Sequence, residues 1–78
     1  MRKEIRENTT GLIKGWTEDR GDKIWAFDCF GRQVGYYDKG SQLTFDVKSG
    51  RAYSRGSDDT AGLIAESWAE NKYHFYGN

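Results

Sequence analysis

The stretch FDCFGRQVGYYDKG (residues 27–40) is followed closely by FDVKSGRAYSRG (45–56). Both run Phe-Asp, a short gap, Gly-Arg, then an aromatic and a second glycine. Proline is absent and there are ten glycines, so glycine does the punctuating. In DCFGR, Asp28 starts a type I turn through Cys29 and Phe30, with Gly31 in the left-handed position of a three-residue hairpin loop. Lys48, Ser49 and Gly50 suit the same role in VKSGR, and Lys39-Gly40 suits a two-residue turn between them. Each repeat therefore reads as a hairpin, and the pair as a meander.

Counting outward from these turns sets a register. Ala26 faces Val34 and Ile24 faces Tyr36. Across the second turn Tyr36 faces Leu43 and Val34 faces Phe45. Across the third, Phe45 faces Tyr53 and Val47 faces Arg51. Ile24, Ala26, Val34, Tyr36, Leu43, Phe45 and Val47 then share one apolar side, because side chains alternate with period two along a strand. Upstream, TTGLIKGW (9–16) reads as a strand joined to KIWAFD (23–28) by a polar loop over 18–22. That loop sets Gly15 and Gly35 on either flank of Trp25. An indole between two glycines either covers a weak sheet position or leaves a slot for a ligand.

Residues 58–71 read as a helix: Asp58 or Asp59 caps it, and Ala61, Ile64, Ala65 and Trp68 fall at i, i+3, i+4, i+7. Gly62 disfavours that helix, and TAGLI (60–64) echoes TTGLI (9–13), which leaves a further strand as the rival. The aromatic tail NKYHFYGN (72–78) suits an added edge strand, and residues 1–8 a loose or helical lead-in. The fold class expected is α+β: one domain, an antiparallel meander of four to five strands with a C-terminal helix on one face.

Seventy-eight residues bury a small fraction of their surface. One cysteine, Cys29, excludes an internal disulfide, and one histidine beside it excludes a structural zinc site. Association with another copy is the remaining source of burial. Three Trp, five Tyr and four Phe in a chain of mean hydropathy −0.92 point the same way. The lone thiol, with no export signal and no apolar run long enough for a membrane, suggests a cytoplasmic protein without a membrane partner.

Formal charge is zero, which speaks against general nucleic-acid binding. The distribution is uneven, however. Residues 23–56 carry six basic groups against three acidic, and residues 57–78 one against four.

Phosphate-loop, HExxH, GxSxG and CxxC motifs are missing, so no enzyme class, cofactor or metal is indicated. His74 reads as a surface or interface histidine, with a nucleotide-cleaving role as its rival. Cys29 has no activating neighbour in sequence. In RAYSR, Arg51, Tyr53 and Arg55 alternate and so project from one side of an ideal strand. Guanidinium groups bind phosphate and tyrosine stacks on a base, although charge on an edge strand also prevents aggregation. Arg32, opposite Asp28, reads as a cross-strand ion pair and is a further anion candidate. Trp25 and Tyr37 complete the candidate ligand set by stacking.

The wording IWAFDCFGRQVGYYD with LTFDVKSGRAYS, within residues 24–55, resembles bacterial four-fold β-flower proteins and YD-type hairpin repeats. The resemblance implies a hairpin-repeat sheet and carries no activity or site residues. The proline that such repeats place after Gly-Arg is missing here.

The function these residues suggest is a small, non-enzymatic, oligomeric binding protein that captures an anionic, nucleotide-like molecule, as phage-type sequestering proteins do. The alternative is a protein-interaction module or inhibitor of a larger enzyme.

Overall fold

Four aspartates set the turns. The carboxylates of Asp19, Asp28, Asp38 and Asp46 each accept the amide of the residue two places on: Gly21 at 3.0 Å, Phe30 at 2.9 Å, Gly40 at 3.2 Å and Lys48 at 2.9 Å. A side chain that satisfies a turn amide in this way ends a strand and starts its return. This is the physical content of the repeated Phe-Asp.

The computed structural model describes residues 2–75, with side chains through residue 71. Strands β1 (Arg2–Arg6), β2 (Ile13–Asp19), β3 (Lys23–Asp28), β4 (Gln33–Asp38), β5 (Leu43–Asp46) and β6 (Arg51–Arg55) precede helix α1 (Thr60–Phe75). The strands pair in sequence order, all antiparallel, as one six-stranded meander. The protein is thus α+β, with one strand more than the upper expected count. No described helix is long and apolar enough to cross a membrane.

The additional strand is β1. Residues 2–6 are not a lead-in but pair with β2, Arg2 opposite Glu18 and Ile5 opposite Gly15. An edge strand tolerates such charge density because one flank stays in water. At the other end, residues 72–75 continue α1 instead of forming an edge strand, and the remainder of that tail lies outside the described residues. The strand rival for residues 60–64 is likewise replaced by helix.

Two turns differ from the counts above. Asp38 and Leu43 flank a four-residue loop in which Gln42, not Gly40, takes the left-handed backbone (φ 58°) and donates its amide to the Asp38 carbonyl at 2.8 Å. Asp46 and Arg51 flank another, closed by the Gly50 amide on the Asp46 carbonyl at 2.8 Å. The Asp28 turn forms as read, with Gly31 at φ 84°. Between β2 and β3 the turn tightens to Gly21-Asp22, closed by Arg20 N–H on the Lys23 carbonyl at 2.9 Å.

The larger correction is a bulge. Phe27 faces Gln33, but Ala26 faces Gly35, so Val34 is the extra residue. One inserted residue reverses the sides of everything beyond it. Ile24 and Ala26 therefore lie on the opposite side from Tyr36, Leu43 and Phe45. The single apolar side expected from sequence is in fact divided between two faces.

Helix α1 packs on β2, β3 and β4. Beneath it the sheet presents small residues: Gly15, Thr17, Ala26, Gly35 and Thr44 are all buried. A Cβ on Gly15 would sit 2.9 Å from Ile64 Cγ2, and one on Gly35 would collide with Leu63 Cδ1 and the Phe45 carbonyl oxygen. These glycines admit the helix; they do not flank Trp25, which faces Glu18 and Tyr36. Ile64 and Trp68 are buried as the helical spacing predicts, but Ala61 and Ala65 are exposed. Thr60, Leu63 and Asn71 complete the buried stripe instead.

Two polar contacts lock the helix in place. Trp68 Nε1–H donates to Glu7 at 2.8 Å, tying α1 to the β1–β2 turn. The wholly buried Thr44 hydroxyl accepts the Asp59 amide at 3.1 Å, holding the entry to α1 against β5.

Candidate functional site

The sheet has a second face. Because β3 alternates Trp25, Ala26, Phe27, its small residue turns toward α1 and its aromatics turn away. The register carries this across the strands: Trp16 is opposite Phe27, Trp25 opposite Tyr36, and Tyr36 opposite Phe45. Ring centroids are 5.6 Å apart for Trp16–Phe27, 4.7 Å for Trp25–Tyr36 and 5.2 Å for Tyr36–Phe45. All five rings are half-buried, and no described element covers them.

Cations stand around these rings. The Arg2 guanidinium lies 4.1 Å from the Trp16 centroid, that of Arg20 5.8 Å from Phe27, and Lys23 Nζ 5.9 Å from Tyr36. Electrostatic attraction to the ring face holds them there. Carboxylates interleave: Glu18 pairs with Arg20 at 2.7 Å and Glu4 with Arg2 at 3.7 Å. The hydrogen bond from Arg20 holds the Glu18 carboxyl below its usual range, with desolvation opposing it. Asp38 faces Lys23, and Arg55 faces Leu43 at the outer strand. The result is an aromatic centre inside a margin of mixed charge.

Of the residues singled out from sequence, Trp25 and Arg55 belong to this face. A second bulge separates the others. Ala52 faces Phe45 and Ser54 faces Thr44, so Tyr53 is the extra residue, and Arg51 and Arg55 fall on opposite sides. The alternation of RAYSR is broken at its middle. Tyr53 turns to the helix, where a Cβ on Gly62 would lie 3.1 Å from its hydroxyl. Arg51 pairs with Asp46, and Tyr37 with Ile24 and Thr44, both on the α1 side.

Arg32 is a cross-strand partner of Asp28, Nε to Oδ2 at 2.8 Å, and also donates to Asn71 Oδ1 at 3.1 Å. It lines a cleft of about 310 Å³ between α1 and the turns after β3 and β5. Asp46, Glu66 and Glu70 share that cleft with Lys48, so its walls repel an anion.

The residues missed from sequence are Trp16, Phe27, Tyr36 and Phe45 with Arg2, Arg20 and Lys23. The pattern Trp-Ala-Phe in β3 was the available signal: two aromatics of one parity around a small residue of the other. Burial, then the neighbouring Asp28 charge, pushes the Cys29 thiol up, away from nucleophilic reactivity. The His74 side chain lies outside the described residues. Among the described residues, no group of three or more His, Cys, Asp or Glu side chains is placed to hold a metal ion. In comparison with known proteins, the chain matches no protein-family model, no curated protein and no solved structure.

Proposed function

We propose that the chain is a non-enzymatic binding protein whose open sheet face captures a flat, anionic, nucleotide-like molecule. The observation that carries this reading is the unbroken row Trp25–Tyr36–Phe45 across β3, β4 and β5, with Lys23 and Arg55 at its margin. Ring faces on a sheet stack on a base whatever its identity, and cations beside them take the phosphate. Capture is by mass action and needs no catalytic group.

Calorimetry against mono-, di- and cyclic nucleotides tests the reading. Heat of binding that disappears in Trp25→Ala supports it. Folded protein that gives no heat at millimolar ligand removes it.

A protein-interaction role is the second reading, favoured by the apolar centre and charged margin, the usual anatomy of a protein interface. It predicts one dominant protein in pull-downs and no response to nucleotides.

A further inference from the structure

The open face is organised about the seam between β3 and β4, the midline of the six-stranded sheet. Trp25 faces Tyr36 across that seam, and Lys23 faces Asp38. A two-fold axis lying in the face and along the seam turns β3 of one chain over β4 of another. Trp25 then meets the partner's Tyr36, and Lys23 meets the partner's Asp38, each contact occurring twice by symmetry. The aromatic centre falls on itself and opposite charges fall together. An axis running across the strands instead sets Asp38 against Val34 and leaves its charge unmatched.

We propose that two copies of this chain associate through their open faces about that seam axis. The proposal rests on the open face being the binding surface, and not on a nucleotide being its ligand. Stacked sheets pack within about 30° of parallel, so the two seams run nearly together. A stable interface takes about 800 Å² from each copy. The molecule measures 41 Å by 26 Å in its two larger directions, enough for a face of that order. The five rings of each copy leave water on association, which supplies the driving force. The ion pairs supply register and exclude misaligned pairings. A flat ligand lodged at the seam meets rings from both copies.

Charge reversal in separate chains tests this without any ligand. Sedimentation velocity on the full chain at about 100 µM should show a dimer, a concentration well above the Kd of a micromolar association. Lys23→Asp alone sets like charges over one another on both sides of the axis, as does Asp38→Lys. Each variant should dimerise at least about tenfold more weakly. Mixed in equal amounts, the two variants should form a heterodimer, because each chain's altered charge meets its opposite across the interface. That rescue cannot arise from repair within one chain.

A monomeric wild type overturns the proposal, as do variants that dimerise like wild type or a folded mixture that stays monomeric. Circular dichroism reports folding of each variant. If a reversal does not fold, Lys23→Gln and Asp38→Asn replace it; both should weaken the dimer, and unchanged dimerisation counts against the seam axis. Nucleotide heat in a monomeric protein would sink this inference alone, and a dimer indifferent to nucleotides would sink the ligand reading alone.

Discussion

Tyr53 reaches from the outermost strand β6 to helix α1, its hydroxyl 3.1 Å from where a Cβ on Gly62 would sit and under the influence of the Glu66 carboxylate. The bulge that puts Tyr53 there is also what parts Arg51 from Arg55. Interaction with the Glu66 carboxylate first, then burial and the nearby charges of Asp59 and Asp46, push its ionisation up to about 12. A raised folded value contributes stability that is complete below the unfolded tyrosine value near 10 and is lost as pH rises toward 12. Spectrophotometric titration should show a tyrosine that ionises about two pH units late and reverts to ordinary behaviour in Glu66→Gln. Tyr53→Phe should flatten the stability loss over the same interval. The residue is 36% exposed, so solvent screens the interaction and its contribution is at most about 1 kcal/mol.

Gly35 and Gly40 should respond oppositely to alanine. A side chain at Gly35 collides with Leu63 and with the backbone of β5, which should cost about 1–3 kcal/mol and lower the urea midpoint. Gly40 is outside the left-handed region and its nearest neighbour would be Asp38 Oδ1 at 3.6 Å. Gly40→Ala should therefore be neutral or stabilise by up to about 1 kcal/mol. A destabilising Gly40→Ala would show that the four-residue loop is wrong.

Asp28 is 1% exposed and satisfies three donors: the amides of Phe30 and Arg32, each at 2.9 Å, and Arg32 Nε at 2.8 Å. Asp28→Ala strips all three; the Arg32 guanidinium is exposed and rehydrates, so the cost comes mainly from the turn amides left unpaired, about 1–3 kcal/mol. Asp28→Asn keeps an oxygen for the turn amides and should cost less. Chemical denaturation of the two variants measures the difference directly.

Arg51 and Arg55 should separate in any assay of the open face. Arg55 pairs with Leu43 on that face, whereas Arg51 pairs with Asp46 on the other. Arg55→Ala should weaken nucleotide binding several-fold and Arg51→Ala should leave it unchanged. Equal losses from the two would mean that the ligand sits at the sheet edge, not on the rings.

Much of the chain's path is legible in short-range chemistry. An aspartate followed by a short gap and glycine ends a strand, and the turn at Asp28 could be placed from that alone; at Asp46 the same signal located the reversal but one residue short of its true length. Ile64 and Trp68 at helical spacing identify α1 and two of its buried contacts. The charged segment RKEIR hid β1, because no alternation of apolar residues announces it.

The aromatic, glycine-bearing hairpins and the terminal helix were determined by local sequence, since turn geometry and helical periodicity act over a few residues. Which residues face the helix was decided only by tertiary packing. Strand β4 reads Val-Gly-Tyr-Tyr, with an aromatic of each parity, so its own pattern admits either side. The helix resolves the choice because it can come close only where Gly15, Ala26 and Gly35 lie beneath it, and the bulge at Val34 is what brings Gly35 there. The aromatics are then turned outward, and the candidate binding face follows from where α1 fits.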